Sequence, residues 1–228
     1  MFNHMIKPAL AAGIALVALA TPAAAQVNGI GVVEPPVAIA GTQALQTGFQ
    51  QIGTTYQAQR TSLEQRQTQR QTLVQTLDTN GDGQIDDAEA AVTNDATNPT
   101  VQQIQALDAQ IAEIQAPIQL AQLYVVSQVA QQYSASVQQV IADQSVQILL
   151  SPEAVVYAPQ EADLTEEIVA VLNTRIPTVS ITPPADWQPN QAVVTLYQQI
   201  QQVLVMARMQ QQQAAQAAAA GQAPVEGR

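Results

Sequence analysis

The chain has 228 residues, of which 47% are hydrophobic but only 4% aromatic, and its formal net charge is −11. The hydrophobic content indicates a folded protein of one or two domains rather than a disordered chain. Because aromatic side chains are so few, we do not expect a large globular core, and the abundance of Ala, Gln, Val, Leu and Ile favours long helices. The acidic balance disfavours nucleic acid and anionic membrane surfaces as partners.

The first residues have the three regions of an export signal. A short polar start with Lys7 precedes the apolar run PALAAGIALVALA, and TPAAAQ supplies an A-x-A-like cleavage site at Ala25. The apolar run is too short to span a membrane. We therefore expect residues 1–25 to be a signal peptide and the mature protein to be periplasmic, without stable membrane insertion.

Removal of residues 1–25 leaves a chain without Lys, His or Cys. Its six Arg residues stand against eighteen acidic residues, which gives a net charge of −12. The usual general bases and nucleophiles are therefore missing, and no acidic pair lies in an apolar context that would shift its pKa. We expect no enzymatic activity and no disulfide bonds.

The mature chain is expected to begin with the first strand of a small β body, within residues 26–41, which Pro35 and Pro36 end. From Thr42 apolar residues follow a 4-3 spacing typical of a coiled coil. The same period resumes from Thr100, after a cap at Asn98 or Thr97 and with Pro99 in the first helical turn. Two such helices joined by a compact connection pack antiparallel. Residues 42–143 therefore predict a helical hairpin arm, on the order of 50 to 65 Å long, with a kink or a local break at Pro117.

After the arm the apolar period becomes that of a strand. Two apolar runs, 146–150 and 154–157, flank a Ser-Pro-Glu turn and predict a β-hairpin, and a capping box at Asp163 opens a closing helix. Residues 144–177 thus complete the β body. Residues 178–228 form a C-terminal extension, with a Pro-rich linker, a helix from 191 to about 209 and a low-complexity tail that should fray.

This order of elements resembles that of the OmpH/Skp family of periplasmic chaperones. The similarity is greatest in IGVV near residue 30 and in residues 125–176, which include VQILLSPEAVVYAP and DLTEEIVAVLN. The resemblance implies an α+β fold in which a long antiparallel coiled-coil arm stands on a small β body. It also implies a homotrimer with a shared central β-barrel, which encloses unfolded outer-membrane proteins without ATP. Well-known members are strongly basic, whereas this mature chain is acidic.

The stretch DTNGDGQIDDAE, residues 78–89, matches a single EF-hand-type calcium loop inserted at the bend of the arm. Such a loop takes its ligands from positions 1, 3, 5, 7, 9 and 12 and has Gly at position 6, which is Gly83 here. The predicted Ca²⁺ ligands are Asp78, Asn80, Asp82, the Gln84 carbonyl, Asp86 through a water, and Glu89 as a bidentate carboxylate. A metal-free polar turn is the alternative interpretation, but it does not explain the glutamate at the twelfth position.

Single residues elsewhere predict structural roles. Trp187 and Tyr197 are expected to anchor the C-terminal helix rather than form a ligand cage. Arg66 and Arg70 are one turn apart, and we expect them to be solvated or to form ion pairs between the helices rather than to bind a client.

Two functions remain. The first is an ATP-independent holdase chaperone for unfolded outer-membrane proteins, with a calcium-binding loop at the arm tip. The second is a calcium-dependent structural or adhesive coiled-coil protein of the cell envelope, in which the arm acts as a spacer.

Overall fold

The computed structural model describes residues 29–87 and 89–221, with side chains described as far as residue 217. The predicted signal peptide, residues 1–25, and the end of the predicted tail, residues 222–228, lie outside this part of the chain. The elements follow in the order β1 (Ile30–Val32), α1 (Pro35–Ala40), α2 (Gln43–Thr55), α3 (Gln57–Gln75), α4 (Ala90–Thr93), α5 (Pro99–Asp143), β2 (Ile148–Leu150), α6 (Thr165–Arg175) and α7 (Gln191–Gly221).

Helices α2, α3 and α5 form the predicted antiparallel arm. The Thr42 hydroxyl caps α2 by accepting a hydrogen bond from the Leu45 N–H, and the Asn98 side chain caps α5 in the same way. Residues around 49–63 lie beside residues 115–122, and residues 68–73 lie beside residues 103–110. Helix α5 has 45 residues and is therefore about 68 Å long. It continues without a break through Pro117, whereas the opposite side of the arm is divided at Tyr56.

The predicted β-hairpin is wrong. Strand β2 pairs in parallel with β1, with Ile30 opposite Ile148 and Val32 opposite Leu150. Residues 154–157 do not form a strand, because Pro152 starts a 3₁₀ turn over Pro152–Ala154 instead of a hairpin turn. Proline has no N–H to give to a ladder and its fixed φ suits the start of a helical turn. The pairing partner of β2 is instead β1, which is distant in the sequence.

Pro35 and Pro36 follow the first strand, as the sequence pattern predicted, but they also begin a helix. They occupy the first positions of α1, where a missing N–H costs nothing because that group would have no partner in the helix. The last turn of α1 is buried, with Ile39 1% exposed. Residues 26–41 therefore contain a helix of the core as well as a strand.

The core is centred on the middle of α5. Ala121, Val125, Val126 and Val129 are wholly buried there, in one core cluster with residues from early and late elements of the described chain. Gly48 of α2 allows this helix to approach α5 closely. A Cβ on Gly48 would lie 2.9 Å from Cγ2 of Val179 and 3.0 Å from Cγ1 of Val125.

The C-terminal extension is part of this core. Ile200 of α7 is wholly buried, and the Tyr197 hydroxyl donates to Oε1 of Gln122 at 2.6 Å. The Trp187 ring packs edge-to-face with Tyr124, and their ring centroids are 5.0 Å apart. The anchoring roles predicted for Trp187 and Tyr197 are confirmed. The predicted fraying after residue 209 is wrong for the described part, because α7 continues to Gly221. Its last turns are rich in Ala and Gln, which favour helix even without packing.

We predict that Ile200→Ala lowers the free energy of unfolding by about 2–4 kcal/mol, because it removes a fully buried branched side chain and leaves a cavity. Val205→Ala in the same helix is the control, since Val205 is 51% exposed. This variant should lower the free energy of unfolding by less than about 1 kcal/mol. Urea unfolding followed by circular dichroism measures both. Equal losses would mean that α7 is not docked on the core.

Candidate functional site

The acidic loop, residues 78–89, lies at the bend of the arm between α3 and α4. Gly81 and Gly83 have φ of 75° and 81°, a left-handed conformation that glycine adopts without strain. The Asp78 carboxylate accepts hydrogen bonds from the N–H groups of both glycines, at 2.7 and 2.8 Å. The first predicted ligand therefore organises the sharp turn of the loop.

Two further predicted ligands are oriented by the backbone of the loop. Oδ1 of Asn80 accepts from the Asp82 N–H at 2.8 Å, and Oδ1 of Asp82 accepts from the Gln84 N–H at 2.8 Å. The Asn80 amide also donates to Oδ2 of Asp82 at 3.2 Å. Asn80 and Asp82 thus each accept a hydrogen bond from the backbone N–H two residues later, as expected for Asn and Asp in turns.

Glu89 differs from the other predicted ligands because it is completely buried. Its Oε1 accepts from the Thr79 hydroxyl at 3.0 Å and from the Asn80 N–H at 3.3 Å, and its Oε2 accepts from the Asp86 N–H at 3.4 Å. The carboxylate at the twelfth position therefore turns back into the loop and ties its two ends together. Gln84 and Asp86 lie on the exposed side of the loop.

The donor set of the acidic loop consists of oxygen atoms with several full charges, which suits a hard cation such as Ca²⁺. The inward position of Glu89 also fits the role of the twelfth ligand. Across the described residues, however, no group of three or more His, Cys, Asp or Glu side chains is close enough to hold a metal ion. Binding would therefore require the carboxylates to move closer together.

Charged groups near the bend have local partners. Arg70 Nε donates to Oδ1 of Asp108 at 2.5 Å, which confirms an ion pair between the two helices of the arm. Both side chains are nearly half exposed, so the pair stabilises the arm only slightly. Hydrogen bonds from the Thr97 hydroxyl and N–H hold the pKa of the Asp95 carboxyl below its usual value.

A second feature of the arm is a groove between α3 and α5, which we call the arm groove. It has a volume of about 550 Å³. Its lining is uncharged and consists of Thr68, Gln69, Thr72, Leu73, Gln103, Ala106, Leu107 and Gln110. Oε1 of Gln110 is buried and has no hydrogen-bond partner among the described residues.

The segment between α6 and α7, residues 176–190, is called the strap here. Gln128 of α5 forms two hydrogen bonds with the backbone of the strap. Its Oε1 accepts from the Ser180 N–H at 3.0 Å, and its Nε2 donates to the Ser180 carbonyl at 2.8 Å. Val179 and Ile181 on either side of Ser180 pack against the core. Sequence reasoning missed both Gln110 and Gln128, since nothing distinguished them from the many other glutamines of the helices.

These features define an α+β protein in which a long antiparallel helical arm stands on a small parallel sheet. The chain belongs to the OmpH-like family, because the family profile described as "Outer membrane protein (OmpH-like)" matches residues 29–172, more than half of its length. The predicted resemblance is thereby confirmed. The match ends within α6, so the strap and α7 lie beyond it.

Among solved structures, the chain is similar to one from Caulobacter crescentus CB15 described as an OmpH-like outer membrane chaperone. The two are 23% identical with a TM-score of 0.41, over 82% of this chain and 99% of the other. No curated protein matches the chain. Among the described helices, none is long and apolar enough to cross a membrane.

We predict that Gly83→Ala destabilises the loop by about 1–2 kcal/mol, because an L side chain is strained at φ of 81°. Gly53→Ala is the matched control. Its Cβ would meet only the Arg60 guanidinium, at 3.5 Å, and alanine within a helix is up to about 1 kcal/mol more favourable than glycine. Thermal unfolding should therefore shift in opposite directions for the two variants, and a shift in the same direction would contradict the left-handed turn.

Proposed function

We propose that the protein is an ATP-independent holdase chaperone of the periplasm, which encloses unfolded outer-membrane proteins between its arms. The observation that carries this proposal is that the family match covers β1, the whole arm and β2. The part of the chain that would hold a client is therefore the part shared with the family. The strap and α7 add to the base of the arm.

The surface of the arm supports a passive mechanism. Helix α3 has no buried residue, and the arm groove between it and α5 is lined by Gln, Thr, Leu and Ala. Such a surface takes apolar area of a client out of water without demanding a particular sequence, and each square ångström buried contributes about 25 cal/mol. Holding a client in this way requires no covalent step, and we propose no enzymatic activity.

The expected test is the aggregation of a urea-unfolded outer-membrane β-barrel protein after dilution into buffer without ATP. The chaperone should suppress light scattering in proportion to its concentration, because it binds the apolar segments that would otherwise associate. Unchanged aggregation would exclude the holdase and favour the alternative, a structural or adhesive spacer of the cell envelope.

We further propose that the protein assembles as a homotrimer through the β body. A parallel sheet of two three-residue strands is too small to be stable alone. Within it Ile148 is 47% exposed, and in the segment that follows β2 Tyr157 is 84% exposed and Val156 is fully exposed. Copies of the same segments from other subunits would cover these side chains and extend the sheet into a shared barrel.

Leu149→Asp should dissociate this assembly, since it places a charge in the middle of β2 beside Gly31. Val205→Asp is the control because Val205 is exposed on α7. Multi-angle light scattering should give the mass of three chains for the wild type and the control, and a smaller mass for Leu149→Asp with its helical circular dichroism retained. A wild-type monomer at micromolar concentration would rule the trimer out.

We propose in addition that the acidic loop binds Ca²⁺. Asp78, Asn80, Asp82, the Gln84 carbonyl, Asp86 and Glu89 would hold the ion, which would neutralise the carboxylates at the bend. The left-handed Gly83 and the inward Glu89 support this proposal. Removing the repulsion among the carboxylates would stiffen the bend of the arm.

Glu89→Gln should weaken calcium binding by roughly tenfold or more, equivalent to about 1.4 kcal/mol. Asp87→Asn is the control, since Asp87 occupies a position that does not ligate in such loops. Isothermal calorimetry measures both affinities. If the two variants bind Ca²⁺ equally well, the loop is a polar turn.

A further inference from the structure

Asn80 and Gly81 form an Asn-Gly pair within the acidic loop, and both residues are exposed. Asparagine is a chemically labile residue, because the backbone nitrogen of the next residue can attack its side-chain carbonyl, close a succinimide ring and expel ammonia. Glycine hinders this step least, since it has no Cβ beside the attacking nitrogen. A Cβ built on Gly81 would meet nothing within 4 Å, so the pair lies open to the water that completes the reaction.

A hydrogen bond holds the Asn80 side chain over the peptide bond that would react. Its Oδ1 accepts from the Asp82 N–H at 2.8 Å, and the ring closed by this bond contains both Cγ of Asn80 and the nitrogen of Gly81. The two reacting atoms are thereby kept close together, which lowers the entropy cost of joining them. The Asp82 N–H also points at the oxygen on which negative charge develops during the attack, as a donor of an oxyanion hole does.

Two other asparagines of the described residues lack this combination. Asn98 precedes Pro99, whose backbone nitrogen carries no hydrogen and cannot close the ring. Asn173 lies within helix α6, and its Oδ1 accepts from the Gln43 N–H of another helix at 2.8 Å. Its side chain is therefore held away from the peptide bond that follows it.

We propose that Asn80 is a self-modification site, at which the acidic loop converts a side-chain amide into a carboxylate. The Gly81 nitrogen gives its proton to solvent hydroxide and forms a bond to Cγ of Asn80. The bond from Cγ to Nδ2 breaks, and the amide leaves as ammonia with a proton taken from water. Water then opens the succinimide at either carbonyl, which leaves aspartate or isoaspartate at position 80. The sum is one water consumed and one ammonia released, without oxidation or reduction.

The product changes the contacts of the loop. The Asn80 amide now donates to Oδ2 of Asp82 at 3.2 Å. A carboxylate at position 80 has no hydrogen to donate there and places a second negative charge beside Asp82, which is unfavourable. Isoaspartate also adds one methylene group to the main chain, so the residues that follow it shift relative to Asp78. Modified chains should therefore differ in the acidic loop and not in the core.

The response of this reaction to calcium rests on the metal site proposed above. An ion bound to Oδ1 of Asn80 would fix the side-chain amide, whereas ring closure requires Cγ to move onto the Gly81 nitrogen. The Asp78 carboxylate, which accepts from the Gly81 N–H at 2.7 Å, would be fixed by the same ion. Calcium should therefore slow the modification, and the extent of modification would record how long the loop has been without metal.

Peptide mapping by mass spectrometry measures the reaction in the full mature chain, aged in mildly alkaline buffer with a calcium chelator. The peptide that contains position 80 should gain the mass difference between an amide and an acid. It should elute as two products, one of which is labelled by an isoaspartate-specific methyltransferase. Asn80→Gln should give neither product, because the longer side chain would have to close a larger ring.

Gly81→Ala should slow the reaction about tenfold or more, since a methyl group crowds the attacking nitrogen and displaced reacting groups lose such factors in rate. Gly83→Ala is the matched control. Its φ of 81° resembles the 75° of Gly81, so alanine strains the loop to a similar degree but leaves the Asn-Gly pair intact. Equal slowing in both variants would assign the effect to strain and overturn the role of Gly81.

The urea-unfolded chain gives the reference rate without loop structure. The folded, calcium-free loop should react at least as fast, because its hydrogen bond to the Asp82 N–H holds the reacting atoms together. A folded rate about tenfold or more below the reference would show that the loop protects Asn80, and would overturn the proposal. Asn28, which precedes Gly29, is the internal comparison. Modification of Asn28 without modification of Asn80 in the folded chain would also overturn it.

Failure of the calcium site is distinguishable from failure of this inference. If calorimetry shows no Ca²⁺ binding by the wild type, the metal site is wrong, while the modification of Asn80 is still measured in the chelated sample. If the wild type binds Ca²⁺ but Asn80 reacts equally fast with saturating calcium and with chelator, protection by the metal is wrong. If Asn80 remains intact in the chelated sample, the modification site is wrong whatever the metal does.

Discussion

Between Ala121 and Val129, helix α5 buries four side chains completely, and they belong to one core cluster to which α1, α2, α6 and α7 also contribute. The close approach of α2 depends on Gly48, where even a single added carbon atom would collide with Val125 and Val179. This packing joins early and late elements of the described chain on one helix, and it holds the strap segment beside the base of the arm through Val179 and Ile181.

Away from this core the arm is held much more lightly. Helix α3 buries none of its side chains, and the ion pair between Arg70 and Asp108 is half exposed. Helix α3 therefore has fewer buried contacts than the base of the arm, and regions with few buried contacts are the ones that open locally. If the loop at the bend binds calcium as we propose, the ion would act at a distance from the packed core.

The strap covers the base of the arm with a segment of the chain itself. At Gln128 that segment satisfies the side-chain amide and covers apolar surface, whereas at Gln110 the equivalent oxygen has no partner among the described residues. In the chaperone function that we propose, a client is held by apolar contact, which does not require a basic surface. The acidic charge of this chain is compatible with that proposal.

The sequence by itself determined the features that depend on neighbouring residues. The start of the arm near Thr42, the start of α5 near Asn98, the antiparallel arm and the turn at Gly83 follow from local hydrogen bonds and from the apolar period. Only the tertiary structure decided that Ile30 pairs with Ile148 in a parallel sheet, and that Gln110 and Gln128 differ from other glutamines. The reason is that strand partners and burial are set by contacts between residues that are far apart in the chain, and a local pattern carries no information about them.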